Sequence, residues 1–223
     1  MPRLRASIPF IWLVVYVAML AGVSASALGA PGKPDASGEA RLRQFLDSVQ
    51  VLEGNFRQRV TDSRQEVLED ASGTVVMQRP GRFRWHYRQP FERVIVSDGE
   101  KLWLYEADLD QVTVRRLSEG LGDTPAALLT GRESVLEQFR VARSWRDDGL
   151  DFVSLVPLSA DASFAGVTLG FAGSELRRLL LDDRLGQQTR IDFSGLKTNP
   201  VVPPGTFRFE PPAGADVIDD TEL

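Results

Sequence analysis

The chain has 223 residues, 43% of them hydrophobic, with 26 Lys and Arg against 31 Asp and Glu and a formal net charge of −5. That balance belongs to an ordinary folded domain and excludes collagen-like or disordered chains. With no Cys and a single His, His86, it cannot build a Cys nucleophile, a disulfide scaffold, an iron–sulfur cluster, a thiolate zinc site or a lipid-modified N-terminal Cys.

The first residues read as an export signal. Arg3 and Arg5 form a positive start, Ile8 to Leu20 is a 13-residue stretch without a charge, and Ala25-Ser26-Ala27 supplies the small residues of a cleavage site. Cleavage after Ala27 is expected to leave residues 28–223 as one domain. Removing 27 of 223 residues leaves 196, and losing Arg3 and Arg5 takes the net charge from −5 to −7. A spanning helix wants about 20 apolar residues, and this stretch meets Pro9 early and small residues late.

After a Pro- and Gly-containing lead-in, Leu42, Phe45, Leu46, Val49 and Leu52 recur at helical spacing and predict an amphipathic helix from Glu39. Beyond Asn55 the period becomes two. Phe56, Gln58 and Val60 alternate with Arg57 and Arg59, and short runs follow at 73–78, 82–88, 93–97, 101–106 and 111–116, rich in β-branched and aromatic residues. Arg79-Pro80-Gly81, Gln89-Pro90 and Asp98-Gly99 separate them as turns. Strands so closely spaced must pair antiparallel.

Thr124-Pro125 predicts a short helix through Leu129, stopped by Gly131, and a second is expected from Glu133 to Gln138. Strands resume at 139–145, 150–156, 166–171, 175–181, 187–193 and, after a Pro-rich loop, 207–210. About eleven strands with one long and two short helices, in one domain, predict an unclosed antiparallel β-barrel with helices across its mouth.

Residues Arg82 to Arg88 interleave aromatics with cations, which suggests a nucleic-acid patch. Strand alternation argues otherwise: Phe83, Trp85 and Tyr87 share one face and Arg82, Arg84, His86 and Arg88 the other. The acidic charge also repels a polyanion, so no nucleic-acid partner is expected. Trp103 and Tyr105 alternate likewise on a strand folded back by Asp98-Gly99 onto Val94 and Val96. A barrel of so many strands need not be filled by its own side chains, and its aromatic wall then becomes a binding cavity. No nucleophile elbow, phosphate loop or metal-ligand spacing is present, so no enzyme and no cofactor are expected. The residue types for an esterase, Ser97, Asp98 and His86, exist but lie in a turn and on a cationic strand face.

Arg79-Pro80-Gly81-Arg82-Phe83-Arg84-Trp85, the Ile95-Val96-Ser97-Asp98-Gly99 turn with Leu102-Trp103-x-Tyr105, and Thr124-Pro125 with Leu128 and Leu129 resemble the outer-membrane lipoprotein carrier family, LolA. Gln187-x-Thr189-x-Ile191-x-Phe193 and the ending Phe207-x-Phe209-x-Pro211-Pro212 extend the resemblance from about Arg41 to Ile218. It implies a monomeric periplasmic chaperone, with lipoprotein cargo received from an inner-membrane lipoprotein-releasing ABC transporter and passed to an outer-membrane receptor. The acyl chains are expected against Phe83, Trp85, Tyr87, Val94, Val96, Trp103, Tyr105, Leu128 and Leu129. Arg79 is expected to hold the lid helix by its backbone carbonyls. The same barrel also serves as a lipid-sensing regulatory module, which is the alternative; the lipid-anchored receptor of this fold needs the N-terminal Cys that this chain lacks.

Overall fold

The computed structural model describes residues 36–117, 129–130, 137–160, 162 and 164–221. Helix α1 (Ala36–Ser48) begins three residues before the predicted start. Its first turn is anchored by a side chain from another element: the Gly38 N–H, one of the donors a helix leaves free, donates to Ser144 Oγ at 3.1 Å. Leu42, Phe45 and Val49 are buried. Leu52 shares their core from a strand rather than from the helix, because the chain turns extended at Val51.

Twelve strands follow: β1 (Val51–Thr61), β2 (Val67–Gln78), β3 (Arg82–Gln89), β4 (Arg93–Asp98), β5 (Lys101–Glu106), β6 (Gln111–Arg116), β7 (Phe139–Asp147), β8 (Leu150–Pro157), β9 (Phe164–Ala172), β10 (Glu175–Asp183), β11 (Gln188–Thr198) and β12 (Asp216–Asp219). They form one sheet in the order β12-β6-β5-β4-β3-β2-β1-β11-β10-β9-β8-β7. Every neighbouring pair is antiparallel except β12, which lies parallel to β6. The sheet is unclosed, with β12 and β7 as its two edges.

The strand count is therefore twelve rather than about eleven, and α1 is the one helix described along its whole length, with Leu117, Leu129 and Thr130 also helical. The two short helices expected within 124–138 fall mainly on residues outside the described ones. A second correction concerns Phe207 to Glu210, which is not a strand. Pro203, Pro204, Pro211 and Pro212 bracket it without N–H donors, and the Thr206 and Arg208 N–H groups close turns onto Pro203 and Gly205 carbonyls at 3.3 and 2.9 Å. The last strand is β12 instead.

The interior lies on one face of the sheet. In β1 the buried residues are Leu52, Phe56 and Gln58; in β2, Ala71, Val75 and Met77; in β3, Phe83, Trp85 and Tyr87. Helix α1 packs across β7, β8 and β9, with Phe45 set 5.8 Å from the Phe171 ring. A sheet of twelve strands coils rather than lying flat, and on its inner face the Trp85 and Phe193 rings, on strands three positions apart, approach to 6.3 Å. The opposite face is polar over β1 and β2. Arg57 grips Asp70 through two bonds of 2.9 Å and Arg59 adds a third at 2.8 Å, which hold the Asp70 carboxyl far below its ordinary range.

Candidate functional site

The concave face is built by strand parity. Trp85 stands at the middle of β3, paired to Val75 on one side and Ile95 on the other. Phe56 from β1 wedges between Trp85 and Tyr87, with its ring 4.9 Å from each. The Tyr87 O–H donates to Gln58 Oε1 at 3.0 Å. Arg93 lies over the Tyr87 ring at 4.2 Å and donates to Glu69 at 3.0 Å. Burial pushes the Tyr87 phenol up to about 12, because an anion there would face low dielectric.

At the other end of β3 stands Arg79, half-buried beside this apolar interior. Its Nε donates to the Leu129 carbonyl at 3.0 Å and its terminal nitrogen to the Leu46 carbonyl at 2.6 Å. The guanidinium also sits 5.3 Å from the Phe45 ring centre. Burial lowers its pKa, partly countered by the Asp47 carboxylate. One side chain thus clasps three pieces: the strand end that carries it, α1, and the segment at Leu129. Gly81 adds a second clasp, its N–H donating to the Thr130 carbonyl at 2.9 Å. That geometry needs glycine, since φ is +71° and a Cβ would meet Leu117 at 3.1 Å.

Of the residues expected to line one cavity, Phe83, Trp85, Tyr87 and Leu129 join the interior cluster, while Leu128 lies outside the described residues. The other four do not share that face. Register pairs Val96 with Arg84 and Trp103, and Val94 with His86 and Tyr105. Directly opposed residues lie on one face, so Val94, Val96, Trp103 and Tyr105 stand on the convex side with Arg84 and His86. The residues that face inward from β4 and β5 are Arg93, Ile95, Ser97, Leu102, Leu104 and Glu106. The convex patch is buried for another reason: the segment after Asn199 returns across it, burying Phe207, setting Phe209 6.1 Å from Tyr105, and offering the Arg208 carbonyl to Arg84 at 3.5 Å.

The same register separates Ser97 from His86. Ser97 is fully buried on the concave side, and its Oγ accepts the Gly99 N–H at 3.2 Å. Asp98 accepts the Glu100 and Lys101 N–H groups at 2.8 Å, and His86 meets Glu92 at 3.0 Å. The three form no nucleophile–base pair.

Sequence reading missed the Leu46 carbonyl as a partner of Arg79, and it missed the Gln58–Tyr87 pair. Gln58 was visible as a polar residue at an apolar parity between Phe56 and Val60. The Leu46 contact had no local signal, since it joins residues 33 apart.

The described residues thus form an unclosed β-sheet with an aromatic interior and an Arg-clasped segment at one end. The model of the outer membrane lipoprotein carrier protein LolA matches residues 47–210. An outer-membrane lipoprotein carrier protein of Methylobacillus flagellatus is 41% identical over 87% of this chain and 95% of its own length. The protein of the same description from Methylococcus capsulatus is 38% identical over 86% and 92%. A crystal structure of a LolA superfamily protein from Nitrosomonas europaea aligns at 13% identity and a TM-score of 0.47, covering 77% of this chain and 97% of that one. The chain belongs to the outer membrane lipoprotein carrier protein LolA family.

Proposed function

We propose that this protein is a periplasmic chaperone that takes the acyl chains of lipoproteins into its apolar interior and carries them to the outer membrane. The observation that carries this reading is the identity of 41% with a relative described as an outer-membrane lipoprotein carrier, across nearly its whole length. In this reading residues 1–27 are the export signal, and 28–223 form one carrier domain that works as a monomer without a cofactor. An inner-membrane lipoprotein-releasing ABC transporter supplies the cargo and an outer-membrane receptor accepts it. Among the described residues no helix is long and apolar enough to cross a membrane.

The physics requires such a container. Each exposed CH₂ costs about 0.8 kcal/mol, so a protein with several acyl chains stays on its membrane unless an apolar surface receives them. Phe83, Trp85, Tyr87 and Leu129 supply that surface, and Arg79 closes it. Its two bonds to carbonyls hold the empty container shut, entering chains break them, and their loss offsets part of the apolar gain. The loaded state is thereby poised to discharge. Purification from periplasm followed by native mass spectrometry tests the reading: an adduct with the mass of an acylated lipoprotein is expected. Recovery of the bare protein only, together with failure to extract an acylated lipoprotein from inner-membrane vesicles supplied with the transporter, overturns it.

A further inference from the structure

Buried polar groups on the concave face are almost all spoken for. Tyr87 has Gln58, Ser97 has the Gly99 amide, and Arg79 has two carbonyls. Among the described residues, two side-chain donors buried from solvent have no partner, Arg93 Nε and Trp85 Nε1. Arg93 spends another of its donors on Glu69 and lies on Tyr87, so its guanidinium is held without that nitrogen. Trp85 is different, because the indole N–H is its only polar atom. The residue is 3% exposed and sits among Phe56, Phe193, Val75 and Ile95, none of which offers a side-chain acceptor. A Phe at this position would fill the space without leaving a donor orphaned, and natural interiors seldom keep such a donor without a use.

We infer that the Trp85 N–H receives the carbonyl oxygen that joins an acyl chain to its cargo. This rests on the carrier reading above and names the chemical group which the interior recognises. An acceptor that reaches mid-strand in an apolar interior must arrive attached to something apolar, and an acyl carbonyl does so. Hydrocarbon alone gives the interior no means to tell an acyl chain from any other; a donor at fixed depth does. The N–H is buried among aromatic rings, a low-dielectric surrounding in which a bond to an entering carbonyl is strengthened.

Two synthetic lipopeptides of equal chain length test this, one a diacyl ester and the other its dialkyl ether, with free palmitate as a third probe. Wild type is expected to bind the ester about tenfold more tightly than the ether, the equivalent of 1.4 kcal/mol. In Trp85→Phe the two probes are compared with each other, and the ester preference is expected to fall to about one, while Phe207→Ala, on the convex side, is expected to keep the wild-type preference. Ultraviolet resonance Raman of the wild type is expected to report a strengthened indole N–H bond with the ester and none with the ether. Equal binding of ester and ether by wild type, or an ester preference that survives in Trp85→Phe, overturns the assignment and leaves the carrier reading standing. If only palmitate depends on Trp85, the donor serves a free fatty acid and the lipoprotein linkage is overturned as its source. Wild type that binds none of the probes removes the carrier reading and this assignment with it.

Discussion

Strands β3 and β5 carry nearly the same pattern of alternating aromatics, yet they bury them on opposite sides of the sheet. Phe83, Trp85 and Tyr87 of β3 enter the interior, where Trp85 and Tyr87 meet rings from β1 and β11. Trp103 and Tyr105 of β5 lie half-buried on the convex side, where Phe209 of the returning C-terminal segment meets Tyr105. The difference comes from register. Trp85 opposes Ile95, and Val96 opposes Trp103, so the turn at Asp98-Gly99 sets β5 one residue out of phase with β3. Burial alone does not mark the container; which face a residue is buried on does.

The largest expected effect sharpens the interior side. Arg79→Leu removes two bonds from a charged donor, each of about 1.5–3 kcal/mol. Release of cargo to an acceptor is expected to slow by at least about tenfold while loading persists, and Arg79→Lys is expected to keep part of the rate, because one ammonium still reaches a carbonyl. A transfer assay between membrane fractions measures both.

Trp85→Ala and Trp103→Ala test the comparison directly. The first is expected to cost about 3–5 kcal/mol of stability, as buried aromatic truncations do, and to abolish the fluorescence change with an acyl probe. The second, at a half-buried convex position, is expected to cost about half that and to keep probe binding. Equal loss of probe binding in both variants would break the division between faces. Phe207→Ala addresses the cover of the convex patch: about 2–4 kcal/mol of destabilisation is expected, read by denaturant melts, with acyl binding unchanged.

A smaller effect comes from pH. Burial raises the Tyr87 phenol to about 12, so its neutral form favours the fold. That contribution is complete below the ordinary phenol range near 10 and is lost as pH rises through about 12. Absorbance titration at 295 nm is expected to show one late tyrosine, and Tyr87→Phe is expected to flatten the loss of stability over that window.

Much of this was legible in the sequence, for reasons that differ by element. The parity of β3 could be read because alternation in one strand is local: Phe83, Trp85 and Tyr87 must share a face whatever else the chain does. Relating that face to the one holding Trp103 needed the pairing across two turns, which composition does not encode. Leu52 continued a helical stripe from within a strand because helix and strand feed one core, so the period outlasted the helix. Phe207 to Glu210 read as a strand by its alternation, and the flanking prolines withheld the donors. The clasp at Arg79 was accessible through family resemblance, but its second acceptor, the Leu46 carbonyl, depends on where α1 ends in space.

That β7 and β12 are ends of the sheet rather than partners has a mechanical meaning. In a closed barrel the girth is fixed by strand number and stagger, and enlarging it means tearing a ladder of backbone bonds. A sheet with two free edges widens by bending, and every strand keeps its neighbours while the edges part. The space under such a sheet can therefore change its girth by flexure rather than by unfolding.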